Sequence, residues 1–313
     1  MPVTFIRWQT DQEAHMNVAA PAFVKPIGKE IAQPHELLSQ AHPDRLFIDV
    51  RLGEPDEEYQ SYRDGHILGA EYGQIRDVFA GQPTSSSGIL PLPGIADLQA
   101  SLDNWNVGID TQVIVYGPSP ALAARGWWVL KWAGVENVRL LDGGLKAWEY
   151  AGGPVAQGHA RPRPARQSAP LQLSEGNLAT IDVCEVEALT ASTILVDARD
   201  ETSFLAGAVP SAINLPAADQ WTPMRLLRSA TEIRGIYEQA GITEQSDVVV
   251  YCGGGVLSAL TFLTLQTVDT TPRLFVGSWS EWNKCKARMA SSAAYSVALA
   301  QDEIDRTCGK QKP

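Results

Sequence analysis

The chain has 313 residues, 44% of them hydrophobic, and a formal net charge of -11. That length has room for two cores of ordinary size. The acidic balance argues against nucleic acid and anionic membrane surfaces as partners, and no apolar run is long enough to span a bilayer.

In chain order, the N-terminal stretch Met1 to Trp8 lacks the basic flank and apolar core of a signal peptide. The apolar run Leu46 to Val50 reads as a strand ending in Asp49-Val50-Arg51, followed by Gly65-His66-Ile67-Leu68-Gly69-Ala70. A second strand, Val113 to Tyr116, leads through Gly117 to an amphipathic helix over Ala121 to Trp132. Arg125-Gly126-Trp127-Trp128 reads as packing of that helix, with Arg125 long enough to reach a domain interface. After Asp142-Gly143-Gly144-Leu145-Lys146-Ala147-Trp148 comes a stretch with Pro154, Pro162, Pro164 and Pro170, the composition of an extended linker.

The pattern then starts again. Ile194 to Arg199 repeats the strand with its Asp-x-Arg end, and Gly207 to Ala212 repeats the Gly65 to Ala70 segment. A helix is expected over Ala230 to Ala240, and Val248-Val249-Val250-Tyr251-Cys252 answers Val113 to Gly117. Gly277-Ser278-Trp279-Ser280-Glu281-Trp282 closes the second copy, and Ala290 to Ala300 suggests a short helix docked on it. Strands alternating with helices imply α/β units around mainly parallel sheets, whose ligands sit at the carboxyl ends of strands. Cys252 stands at such an end; Gly117 holds the same place in the first copy.

The surroundings of Cys252 suit a thiolate. Gly253, Gly254 and Gly255 let backbone N–H groups converge, and a helix expected over Val256 to Leu265 adds its dipole. The alternative is a buried cysteine beside a tight turn. All five histidines (His15, His35, His42, His66, His159) precede the second copy, so activation by loop dipoles is simpler than a His base. Cys184, Cys252, Cys285 and Cys308 show neither metal-ligand spacing nor a disulfide framework, which fits a reducing cytoplasm.

With Asp142 to Trp148, Gly277 to Trp282, Gly65 to Ala70 and Cys252 in hand, the chain resembles the two-domain rhodanese-family sulfurtransferases over about residues 30 to 287. The resemblance implies an α/β fold of two tandem rhodanese-like domains, each a mainly parallel sheet flanked by helices. Their expected limits are 30–155 without the cysteine, a linker at 156–176, a catalytic domain at 177–290 and a tail at 291–313. It implies a sulfane sulfur moved from thiosulfate or 3-mercaptopyruvate through a Cys252 persulfide to cyanide or a thiol, a protein thiol included, with no metal or organic cofactor. The backbone N–H groups of Gly253, Gly254, Gly255, Val256, Leu257 and Ser258 would stabilise the anionic leaving group. Arg199 would bind a sulfonate or carboxylate, or instead pair with an acidic neighbour and tie the loop down. Arg51, Asp49, Asp197 and His66 take structural roles. Ser278 and Ser280 would serve packing and helix capping, although both are placed to bond the loop backbone.

The loop departs from both donor classes. Gly253 and Gly254 stand where thiosulfate-preferring members carry Arg and Lys. Gly254 and Leu257 replace the Ser and Thr of mercaptopyruvate-preferring ones, Ser87 to Pro91 lacks a His, and Ala208 and Val276 replace a usual His and Asp. A phosphatase-type site is excluded, because no Arg occurs from Ser246 to Pro272 to bind the oxyanion. A protein-to-protein persulfide relay and a non-catalytic interaction module remain as alternatives.

Overall fold

The computed structural model describes residues 28–160 and 168–309. The first half forms a five-stranded parallel sheet in the order Ile31–Ala32, Val138–Leu141, Gln112–Tyr116, Arg45–Arg51, Glu71–Gln74. The second forms a four-stranded parallel sheet in the order Arg273–Leu274, Asp247–Tyr251, Thr193–Asp197, Ile213–Asn214. Even the missing edge of the second sheet has a trace. Thr180 makes a parallel bridge to Leu274, as Ile31 does to Leu140 in the first.

The repeat extends to side chains. Tyr116 and Tyr251, each the last residue of a central strand, accept the N–H groups of Ile67 and Val209 on their hydroxyls. Asp49–Arg51 and Asp197–Arg199 are buried ion pairs at the ends of the neighbouring strands. Each pair ties a strand end through geometry its own two-residue spacing permits. His66 is buried, stacks on Tyr62 and bonds the Tyr62 carbonyl, an ordering role within the first half.

The halves do not keep separate cores, as length alone suggested. One apolar cluster runs from Ile48, Val50 and Trp128 to Val196, Leu260 and Phe262. The reason is two helices buried on nearly every side, Leu257–Thr264 and Pro120–Trp132, the second expected to be amphipathic but buried even at Arg125, which pack between the sheets. Trp128 meets Phe262 edge-on at 5.9 Å between ring centroids. Smaller clusters back each sheet on its outer face, around Trp148 in the first half and Phe275 in the second.

The linker expected at 156–176 lies partly outside the described residues. From Ser168 onward it is extended and docked on the first half. Pro170 bridges Gly108, and the Gln99 amide bonds both the Leu171 carbonyl and the Leu173 N–H. The C-terminal helix is longer than expected, Lys286–Gly309, and starts directly behind Gly277–Trp282. Tyr295 anchors it by donating to the Ala212 carbonyl. Among the described residues no helix is long and apolar enough to cross a membrane.

Candidate active site

Asp247–Tyr251 is the buried strand anticipated at 248–251, and the helix behind it spans Leu257–Thr264. Cys252 joins them at the carboxyl end of the sheet. Its residue is 1% exposed, and Ala198, Ala217, Trp221 and Leu257 pack around it. Two donors reach its sulfur. The Gly255 N–H lies 3.2 Å from Sγ and the Ser258 hydroxyl 3.4 Å. Gly255 has φ +81, a left-handed conformation that turns its N–H toward the sulfur, and there glycine is required. The helix that follows has no side-chain cap, so the N–H groups of its first turn, at Leu257 and Ser258, have no intrahelical acceptor.

The loop is fastened from its far side by the Gly277–Trp282 segment. The Ser278 hydroxyl accepts the Cys252 N–H at 3.2 Å and donates to the Phe275 carbonyl at 2.9 Å. The N–H groups of Trp279 and Ser280 bond the Cys252 and Gly253 carbonyls. Ser278 is therefore a site residue, where sequence reasoning favoured packing and capping. Its signal was the pairing of two motifs that the repeat had already matched.

Arg199, offered from sequence either as an oxyanion binder or as the partner of an acidic neighbour, pairs with Asp197. Its Nε contacts both oxygens of the fully buried Asp197 at 3.0 Å, and its Nη2 also donates to the Gly207 carbonyl. The guanidinium lies 4.7 Å from the Trp279 ring centroid. Burial pulls its pKa down, but the bonds and charge of Asp197 more than offset this and hold it above the ordinary value. Through Nε and Nη2 the guanidinium ties the strand end to Asp197 and Gly207.

Arg125, read from sequence as helix packing, lies against the active loop. It is fully buried on the Pro120–Trp132 helix and donates to the carbonyls of Phe79 and Leu90 at 3.0 Å. Its Nη1 reaches the Gly255 carbonyl, 130 positions along the chain, at 3.5 Å. Burial lowers its pKa to about 10, and the charge of Cys252 acts in the opposite direction.

The first half also supplies the wall beside the loop. The Ile89 N–H bonds the Ser280 hydroxyl, and Lys284 donates to the carbonyls of Thr84 and Ser87. A Cβ on Gly254 would come within 2.9 Å of Ile89 Cγ1. Gly253 and Gly254 thus form an uncharged stretch, Gly254 under the half-exposed Ile89 side chain and Gly253 facing open space. Cys184, Cys252 and Cys285 are free thiols. Cys285 precedes the Lys286–Gly309 helix, and the N–H groups of Arg288 and Ala287 hold its pKa below the usual thiol value. Among the described residues no cluster of His, Cys, Asp or Glu is placed to hold a metal ion.

A cysteine at the end of a parallel strand, its sulfur held by a loop N–H, defines an α/β thiol-transfer class of site. Comparison with known proteins makes this specific. The family described as Rhodanese-like domain matches residues 33–151 and 184–285. SseB of Mycobacterium tuberculosis is 33% identical over 262 residues, covering 80% of this chain and 91% of that one. A thiosulfate sulfurtransferase of Pseudomonas aeruginosa is 30% identical over 268 residues, covering 80% and 93%. Among solved structures, SseA from Escherichia coli, described with the 3-mercaptopyruvate enzymes, superposes with a TM-score of 0.70 at 26% identity, covering 80% and 99%. The chain belongs to the rhodanese family, as a tandem member with two rhodanese-like segments.

Proposed function

We propose that this chain is a sulfurtransferase that carries a sulfane sulfur on Cys252, taking it from thiosulfate or 3-mercaptopyruvate and passing it to cyanide or a thiol. The observation that carries this reading is Cys252 Sγ held between the Gly255 N–H and the Ser258 hydroxyl at the strand end. Both relatives named for their donors, one for thiosulfate and one described with 3-mercaptopyruvate enzymes, support the same two chemistries.

In the first half-reaction the Cys252 thiolate attacks the terminal sulfur of the donor and a sulfur–sulfur bond forms. With thiosulfate the donor's S–S bond breaks and sulfite leaves with the electron pair. With 3-mercaptopyruvate the C–S bond breaks and the electron pair leaves as pyruvate enolate, which then takes a proton. In the second half-reaction cyanide or a thiolate attacks the outer sulfur, and Cys252 leaves as thiolate. Electrons balance without any external oxidant. A nucleophile this enclosed requires a slim donor, and a terminal sulfur meets that need. First-turn N–H groups from Val256 to Ser258 supply the local positive potential that an acidic chain must build for anions. The free thiols Cys184, Cys252 and Cys285 support a reducing cytoplasm as its setting.

Intact mass of the reduced protein after incubation with each donor tests this directly. One added sulfur, removed by cyanide and absent in Cys252→Ser, is the expected result. No sulfur gained from either donor overturns it in favour of a binding module.

A further inference from the structure

The loop that carries Cys252 rests against a cation that its own half does not supply. Arg125 belongs to the first half, and its side chain is 0% exposed. Arg51, Arg139 and Arg199 each face a carboxylate. Arg125 instead faces carbonyls only: Phe79, Leu90, Pro91 and Gly255. Among the described residues Cys252 is the titratable group whose field it feels. The nearby Asp197–Arg199 pair neutralises itself.

A guanidinium buried against neutral acceptors keeps its full charge in a poorly polarisable interior, which costs several kcal/mol unless an anion stands close. The anion this site produces is sulfur: first the thiolate, then the outer atom of the persulfide. Geometry links the two groups through one residue, whose two flanking peptides each meet one of them. The Gly255 carbonyl accepts from Arg125 Nη1 while the Gly255 N–H points at Cys252 Sγ. A Cβ on Gly255 would sit 2.9 Å from that same Nη1. Closeness to Arg125, as well as its positive φ, therefore bars a side chain from this position.

We propose that Arg125 is a positioning residue of the sulfur-transfer site: a buried counter-charge, lent by the half without a nucleophile, that fixes the backbone at Gly255 and favours negatively charged sulfur on Cys252. This rests on Cys252 being the sulfur carrier, but it is tested without any sulfur donor. Arg125 also holds the Phe79 to Pro91 segment that forms the wall over Gly254, so the nucleophile and its wall share one anchor.

The test is site-resolved alkylation of Cys252 by iodoacetamide in the native chain, Arg125→Met and Arg125→Lys, with Cys285 followed separately as an internal control. At pH 7 Arg125→Met is expected to react about tenfold more slowly at Cys252, a deficit that narrows as pH rises to 9.5. Arg125→Lys, which keeps the charge, recovers most of the rate. A deficit of equal size at every pH, or none, overturns the proposal. Should Arg125→Met not fold, Cys252→Asp and Cys252→Asn are compared by thermal melting. A carboxylate beside Arg125 stabilises the fold above its unfolded pKa and loses that advantage as pH falls through its folded pKa. Cys252→Asp must then melt above Cys252→Asn at pH 7, with the gap closing toward pH 3; Asn melting at or above Asp at pH 7 overturns it. Failure of donor loading with a normal alkylation pattern would instead strike the sulfurtransferase reading alone.

Discussion

The two strand-to-helix loops, Gly117 to Ser119 in the first half and Cys252 to Val256 in the second, occupy the same place in the repeat and are built for opposite ends. In the first, Ser119 caps the helix by accepting the Leu122 N–H, and Pro120 removes another donor from the first turn. In the second, the helix has neither cap nor proline, and the Gly255 N–H goes to sulfur. The first loop is also closed in space. A Cβ on Gly117 would lie 2.3 Å from the Val50 carbonyl oxygen, and the cavity beside it is about 10 Å³, room for one water at most. The lesson is that a thiol site needs more than a cysteine: it needs uncapped donors and a loop backbone that is not closed off, as at Gly253, where a Cβ would meet nothing within 4 Å. The first half has given up both and contributes Arg125 and the Ile89 wall instead.

That contrast can be broken in several places. The largest effect is expected from Cys252→Ser combined with Gly117→Cys. Loading with sulfur falls to background and the new cysteine does not restore it, while steric overlap with Val50 costs about 2–3 kcal/mol in denaturant unfolding. Sulfur loading at position 117 would show that the loops differ only in one side chain. Next is Arg199→Met, which strands the buried carboxylate of Asp197. A stability loss of about 3–5 kcal/mol is expected by chemical denaturation, with donor KM in the remaining folded protein little changed. A selective rise in KM for thiosulfate would return Arg199 to an anion-binding role.

Gly255→Ala adds a Cβ at φ +81, against Arg125 and the Val276 carbonyl, and should cost about 1–3 kcal/mol and slow persulfide formation in rapid-mixing assays. Ser278→Ala leaves the buried Cys252 N–H without its acceptor, for about 1–3 kcal/mol by thermal melting. The smallest change belongs to Ser258→Ala. Losing one long bond to Sγ should cost about 1 kcal/mol, read as a severalfold slower loading rate with an unchanged melting temperature.

Much of the architecture was legible because it is written locally. Apolar runs of four or five residues marked the strands, and glycine-rich turns marked their ends. Cys252 stood out because its loop chemistry is contiguous in the chain. Arg199 was ambiguous in the sequence, since Asp197 two positions away satisfies an arginine as readily as a substrate does, and the structure shows that pairing. The Ser278 and Arg125 contacts were legible only as second choices for another reason: their partners lie 26 and 130 residues away, and no periodicity encodes such a meeting.

By itself, then, the sequence determined the doubled α/β plan, the family to which the chain belongs, and the candidate nucleophile, because each is carried by neighbours along the chain. Tertiary structure alone decided that the two halves share one core, that Arg199 turns inward, and that Arg125 crosses to the loop of the other half. These outcomes follow from how two largely buried helices had to pack between two sheets, which brought the first half's buried cation to the Gly255 carbonyl of the second half's loop.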